Sequence, residues 1–523
     1  MNPLTWQNPG QLFVAQDVIK VNIYSVAELR MNKRTLSFLG MVAAFAATVS
    51  AQTLDFTAMK NEINEKSLPL VNVTVEIDKV NKPEYTPAKI EIVDPQKRTD
   101  GNVETTFNCK VKYRGASSLR YDKKSFAVKL LNEKGKSLDA PVLGIRKDDA
   151  WILDAMAVDR LRMRNRLNFD VWNAMSSTPY ATDTDNRNGT KGYFVELFIN
   201  GEYHGLYCMT DKVNRKLLGV KKSDDKDKAN VKINGVVYKC ESWGESAILR
   251  GYDEQSMDGE LWNNWSLDYP DDYPCADSYM PLKNFIDYCA YSSDEEFADG
   301  VDKRFYLQNI IDYHVFLLSQ GLRDNNMKNT FLSIVDKNKS DCMMLTPWDL
   351  DCSLGGNWDG QYYNNLAANN EVIENKLYNR LWNDNVADYR NRVADTWRKW
   401  GKDGILSKTG FNECVDNYVE ALTVSGAWQR EYAKWNGNPV ELKRDLDEEA
   451  GYVKDWYSRN YDNLGKTVFY NLGTTGIANI VVDENKKTNV GDNTFYNIMG
   501  QKAGNGYHGI VVVKGKKQLM LKR

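Results

Sequence analysis

Three things are missing from this chain, and each absence narrows what it can be. None of its eight cysteines stands in a CxxC pair, so a cysteine-ligated zinc site is not expected. There is no excess of positive charge: 68 Lys and Arg against 71 Asp and Glu leave a net charge of −3. A general nucleic-acid binder would carry a basic excess, so nucleic acid is not an expected partner. Long apolar runs are missing too, apart from one near the start, Leu36 to Ala51. That run follows Met31-Asn32-Lys33-Arg34 and ends in Val49-Ser50-Ala51. Basic, then apolar, then small residues is the order of a secretory signal peptide. The run is short for a membrane span. Cleavage after Ala51 would release a secreted or cell-surface chain with no transmembrane span; a retained N-terminal anchor is the alternative.

What is present is ordinary for a globular protein: 42% hydrophobic and 27% charged residues over 523 positions. The length allows two to four domains. Residues 1–30 carry Asp17 and Glu28 and read as an extension upstream of a true start at Met31. Residues 31–51 are the signal peptide and 52–67 a linker. Residues 68–466 form the main domain, with an insertion at about 241–300 rich in Trp, Tyr and Asp. Residues 467–523 form a small β-rich tail.

Local patterning predicts an α+β fold, β-rich in its N-terminal part and helical in its C-terminal part. Leu68 to Ile77 and Ala88 to Val93 alternate as strands do. Phe107 to Tyr113 and Ser125 to Leu130 add two more, separated by the small-residue loop Arg114-Gly115-Ala116-Ser117-Ser118. The spacing of Leu161, Leu167, Val171 and Met175 predicts a helix over Asp159 to Met175. Tyr193 to Ile199, Asn200-Gly201 and Glu202 to Met209 read as a β-hairpin, because Asn-Gly supplies the positive φ angles of a tight turn. Phe305 to Gln320 reads as a buried helix, and 375–465 as mostly helical. In the tail, Ile477 to Val482, Phe495 to Gln501 and His508 to Lys514 read as short strands. Cys342 and Cys352 are close enough in sequence to pair; buried free thiols are the alternative.

The segment that can carry chemistry is Asp324-Asn325-Asn326-Met327-Lys328-Asn329, followed by Pro347-Trp348-Asp349-Leu350-Asp351. Phosphoryl transfer asks little covalent help of a protein. It needs an acceptor hydroxyl held in line and phosphate charge neutralised by metal. An Asp, an Asn five residues on and a later Asp are the groups protein kinases use. Asp324, Asn329 and Asp349 have that order. Magnesium takes hard oxygen ligands and keeps waters, so this set suffices for it. Asp349-Leu350-Asp351 is equally a pattern for calcium or a nucleotide-sugar metal. Cations for phosphate are sought at Lys124 and Arg114, with Lys239 competing. His204, beside a turn, and His314, on a buried helix, read as packing residues.

Taken in order, several blocks resemble the CotH (spore-coat protein H) kinase family. They are Arg114 to Ser118 with Lys123-Lys124-Ser125-Phe126, Asp149 to Leu153 with Met163-Arg164-Asn165, and Phe198 to Tyr207. Asp324 to Asn329 and Pro347 to Asp351 complete the set. The resemblance implies an atypical protein-kinase-like fold, ATP with Mg2+ or Mn2+, and transfer to Ser or Thr of exported or surface proteins. It implies Asp324 as the catalytic aspartate, Asn329 and Asp349 as metal holders, and Asp351 assisting. Where the family often has Glu after the hairpin strand, this chain has Asp211. The tail is similar to those of surface proteins exported by type IX secretion. Two other readings stand beside this one. A catalytically idle adhesin or scaffold could touch protein or surface glycan through the aromatic insertion. A glycan-active enzyme could pair Asp349 with Asp351.

Overall fold

The computed structural model describes residues 54–176, 178–180, 187–227 and 231–469, and three short strands at 496–497, 509–513 and 516–520. The upstream extension, the signal peptide and the strand expected at Ile477 to Val482 lie outside those residues.

Seven strands close into a barrel: β1 (Leu70–Val75), β2 (Thr86–Val93), β3 (Glu104–Arg114), β4 (Ser125–Leu131), β5 (Ala150–Asp154), β6 (Gly192–Ile199) and β7 (Glu202–Asp211), ordered β1-β2-β3-β4-β5-β7-β6. Neighbours are antiparallel except β1 and β6, whose parallel pairing closes the ring. Period-2 alternation drives the interior: Val71, Val73, Ile90, Ile92, Val111, Val128, Leu153, Leu197 and Tyr207 share one buried cluster. Each such aliphatic side chain contributes roughly 1.5–3 kcal/mol on burial. The hairpin forms where Asn-Gly predicts it. Asn200 and Gly201 have φ of 53° and 87°, as a two-residue turn with both centres left-handed requires. The Asn200 side chain also bonds Val75 N and O at 2.8 and 2.9 Å, so the turn residue helps seal the barrel.

A second, antiparallel sheet has the order β12-β11-β8-β10-β9. Its strands are β8 (Val236–Cys240), β9 (Leu261–Trp262), β10 (Trp265–Tyr269), β11 (Thr330–Ile334) and β12 (Met344–Pro347). The helix Leu307–Gln320 is buried along its whole length except Gln308. Between β12 and Thr467 the regular elements are helices, including Tyr389–Gly401, Lys408–Val424, Ala427–Trp435 and Leu446–Thr467. The architecture is α+β, with its strands early and its helices late. In the tail, β13 (Tyr496–Asn497), β14 (Gly509–Val513) and β15 (Lys516–Met520) make a three-stranded sheet. Among the described residues no helix is long and apolar enough to cross a membrane.

Two expectations change, and one open choice is decided. The insertion is not irregular: it supplies β9, β10 and the helix Ala276–Tyr291. Its aromatics Trp262, Trp265 and Tyr279 are at most 1% exposed, inside the main core, whereas Trp243 and Tyr291 stand exposed. The helix expected from Asp159 begins at Arg164. The Asp159 carboxylate accepts from the amides of Leu161, Met163 and Arg164 at 2.9, 2.8 and 2.7 Å, which holds a tight turn ahead of the helix. Cys342 and Cys352 are both buried free thiols, not a disulfide.

Candidate active site

The buried helix Leu307–Gln320 ends at Gly321, whose φ of 62° gives the left-handed cap that turns the chain out of the helix. The loop that follows carries Asp324 and Asn329 and leads into β11. Antiparallel pairing sets Thr330 opposite Pro347, so the end of β12 delivers Asp349 beside that loop. Trp348 N donates to Asn329 O at 2.9 Å. Buried Asn325 locks the two segments together, its Nδ2 donating to Trp348 O at 2.7 Å, while Tyr313 OH donates to Asn325 O at 2.8 Å. Asn329 and Asp349 both sit at positive φ, 57° and 55°. Asn and Asp tolerate that region better than most residues, yet strain of about 1–3 kcal/mol each is typical. This anchoring sustains it.

Arg114, Lys239, Asp324, Asn329, Asp349 and Asp351 all line one cleft of about 730 Å³. Asp324 is well bonded: Trp243 Nε1 donates to Oδ1 at 3.0 Å, and Lys328 Nζ and Asn329 Nδ2 donate to Oδ2 at 2.6 and 3.0 Å. The Arg114 guanidinium lies 5.5 Å from the centre of the Trp348 ring. Lys239 Nζ bonds Glu241 at 2.6 Å.

The carboxylates of the cleft act on one another through their charges. Asp349 is exposed to cleft solvent, yet it lies among the cleft walls rather than on the open surface. Burial raises its pKa; Arg114 opposes this, while Asp154 and Asp324 add to it. Asp351 is raised well above the usual carboxylate value, by burial first and then by Asp349, Asp154, Asp159 and Asp324. Asp351 feels four other carboxylates and Asp349 two; they are hard oxygen donors whose mutual repulsion a divalent cation would relieve. On that ground the residues fit Mg2+ or Mn2+.

Sequence reasoning missed Asp154. It ends β5, lines the same cleft, and receives Asn165 Nδ2 at 2.9 Å. Asn165 Oδ1 in turn accepts Leu350 N at 3.1 Å, which ties β5 to the Asp349–Asp351 segment. The available signal was the block Asp149 to Leu153, one residue short of it.

Lys124 is not in the cleft. Its ammonium donates to the carbonyls of Leu119, at 2.7 Å, and Tyr121, and so holds its own loop. Its neighbour Lys123 lines the cleft instead, because adjacent residues of an extended segment face opposite ways. Lys123 Nζ bonds Glu431 Oε1 and Leu206 O, both at 2.6 Å, and Arg162 Nε reaches the same carboxylate oxygen at 2.8 Å. Burial pushes the Lys123 ammonium down to about 7; Glu431 opposes the shift and Arg162 adds to it.

Asp211 is fully buried and held by Arg146 at 3.2 Å, Arg187 at 2.5 Å and Lys191 N at 2.8 Å. Through these contacts it braces the barrel. His204 packs among Phe126, Tyr207 and Trp435. His314 is buried between Tyr389 OH and Asn369 Oδ1 at 2.9 and 2.8 Å. Burial lowers both to about 4. Among the described residues, one group of three carboxylates has ligand atoms within 4.8 Å of one another: Asp139, Asp148 and Asp149. Lys216 Nζ already fills its centre, at 2.5, 3.4 and 3.0 Å.

A family model described as CotH kinase protein matches residues 111–464, more than half of the chain. The matched span takes in Arg114, Lys239, Asp324, Asn329, Asp349 and Asp351, as well as Lys123 and Asp154. No curated protein matches the chain.

Proposed function

Because the chain belongs to the CotH kinase protein family, we propose that it transfers the terminal phosphoryl group of ATP to Ser or Thr hydroxyls of exported or surface proteins. What supports this most is the convergence of Asp324, Asn329, Asp349 and Asp351 on one cleft with Arg114 and Lys239.

In this reading Asp324 accepts the proton of the acceptor hydroxyl. Its Oδ1 faces the cleft, where the Trp243 indole N–H now occupies the place a hydroxyl would take. Lys328 and Asn329 hold the other oxygen and so fix the carboxylate plane. Asn329, Asp349 and Asp351 offer oxygens to a divalent ion, with Asp154 beside them. When bound, Mg2+ or Mn2+ would neutralise charge on the phosphate oxygens. Arg114 and Lys239 hold phosphate from the barrel side and the sheet side; Arg114 offers the two-pronged contact that suits phosphate. The basic, apolar and small-residue order of residues 31–51 supports acceptors outside the cytoplasm.

Purified mature chain incubated with γ-labelled ATP, Mn2+ or Mg2+ and proteins released by the same cells tests the proposal. Label on Ser or Thr, lost in Asp324→Asn, is the expected result. No transfer to itself or to any of those proteins would overturn it.

A further inference from the structure

The outer face of β3 carries a row of positive charge, part of which no carboxylate among the described residues pairs with. Lys110, Lys112 and Arg114 stand at every second residue of the strand, so they share one face. The opposite face puts Cys109 and Val111 into the barrel core. Lys129 on β4 lies in register beside Lys110. The Tyr85 ring gathers three of these ammoniums, with Lys110, Lys112 and Lys129 at 5.1, 4.8 and 5.6 Å from its centre. Lys82 joins them from the preceding loop, bonded to Gly115 O at 2.6 Å. Among the described residues no carboxylate forms an ion pair with Lys82, Lys110, Lys112 or Lys129. Burial and the ammoniums of Lys129, Lys82 and Lys212 hold Lys112 below the ordinary lysine value. In a chain of net charge −3, this is a local concentration of positive charge.

The track has a direction. Lys82, Lys112 and Arg114 line the cleft that holds Asp324; Lys110 and Lys129 lie outside it. From Arg114 to Lys110 the strand runs about 13 Å, so the outer lysines serve a part of a ligand that lies beyond the cleft. β3 is paired on both edges, to β2 and β4. From Asn108 to Val111 no backbone edge is left for strand addition, and recognition there must come from side-chain charge. An extended peptide repeats its side chains every ~6.8 Å on one face, the same period as the lysines.

We propose that this lysine track along β3 docks an acidic segment of the acceptor protein, next to the hydroxyl presented at Asp324. The proposal rests on the phosphotransfer reading of the cleft and deepens it by naming the acceptor chemistry. Complementary charge of this kind sets partner choice and encounter rate, and it weakens with salt.

The test is fluorescence anisotropy of the full mature chain with a labelled peptide that has Glu at alternate positions and one central Ser, without nucleotide. A second peptide carries Lys in place of Glu. The acidic peptide is expected to bind, the basic one not, and added NaCl is expected to weaken binding steadily. Lys110→Ala with Lys129→Ala should lower affinity about tenfold, and Lys110→Arg with Lys129→Arg should keep it. The thermal shift produced by Mn2+ and ATP should be the same in both variants. Equal binding by wild type and the alanine variant, or binding of the basic peptide, overturns the proposal. So does binding of inorganic polyphosphate or anionic lipid vesicles in place of the acidic peptide. Because the readout needs no nucleotide, a chain that binds the peptide through these lysines but transfers no phosphate supports the track and refutes the kinase reading alone.

Discussion

Removing the carboxylate of Glu431 while keeping its shape, as Glu431→Gln, strands two buried cations at the back of the cleft. Lys123, Arg162 and Glu431 are all fully buried, with one Glu431 oxygen serving both cations at 2.6 and 2.8 Å. The other oxygen accepts Leu206 N at 2.8 Å. Taking one member from a buried ion pair costs about 3–5 kcal/mol, since the partner charge is left unpaired. For a folded domain of about 400 residues that corresponds to a fall in Tm of roughly 4–6 °C. The loss has a pH signature. Lys123 in the native wild type discharges near 7, far below the ordinary lysine value of 10.5. Below that pH the wild type keeps Lys123 charged against Glu431. The variant must leave Lys123 neutral or carry an unopposed charge. Each pH unit below 7 therefore adds up to about 1.4 kcal/mol to the variant's deficit. Above 7 both native states hold neutral Lys123, and the deficit levels off. Urea unfolding of both proteins at pH 6 and pH 8 measures this. Adding Lys123→Met to Glu431→Gln should recover part of the loss, because one cation is gone. A change within ~0.5 kcal/mol would refute the buried triad.

Further outcomes follow from the same contacts. Asp324→Asn should lower phosphotransfer by at least about a hundredfold, while the Mn2+–ATP thermal shift persists, read by phosphate labelling and by melting curves. Asp351→Asn should make the metal-free chain more stable. Its carboxyl is raised in the fold, so it favours the native state at low pH and that support is lost as pH rises above the ordinary carboxylate range. Denaturant titrations of the variant between pH 4 and 7 should show a flatter pH dependence than wild type. Lys124→Met should loosen the loop it braces, seen as faster hydrogen exchange at Ser117–Arg120, and leave nucleotide binding intact. Asn325→Ala frees the Trp348 carbonyl and the two motif segments; a loss of about 1–3 kcal/mol in stability together with loss of transfer is expected from unfolding and activity assays.

Much of the framework was legible because its signals are local. Asn200-Gly201 demands one turn type, and the strands on either side alternate cleanly. The buried helix Leu307–Gln320 shows in its near-continuous apolar run, and the loop after it shows in a Gly cap followed by polar residues. What stayed hidden depends on residues far apart or on the sense of one side chain. Lys123 and Lys124 are adjacent, and only the direction in which the chain enters β4 decides which faces the cleft. Asp154 is a single carboxylate at a strand end, 170 positions before Asp324, with no spacing rule to tie them. Glu431 lies 308 residues from its partner Lys123. The insertion looked irregular because β9 and β10 have only two and five residues, too short for alternation to register. Its aromatic residues divide between the core, as Trp262 and Trp265 do, and the surface, as Trp243 and Tyr291 do, a division that composition does not show.

Electron paramagnetic resonance of Mn2+ titrated into the mature chain with a non-hydrolysable ATP analogue tests the cleft most directly. One saturable Mn2+ site that requires nucleotide, survives Asp139→Asn and disappears in Asp349→Asn is the predicted result. Mn2+ binding that Asp349→Asn leaves unchanged, or that Asp139→Asn removes instead, would contradict the account.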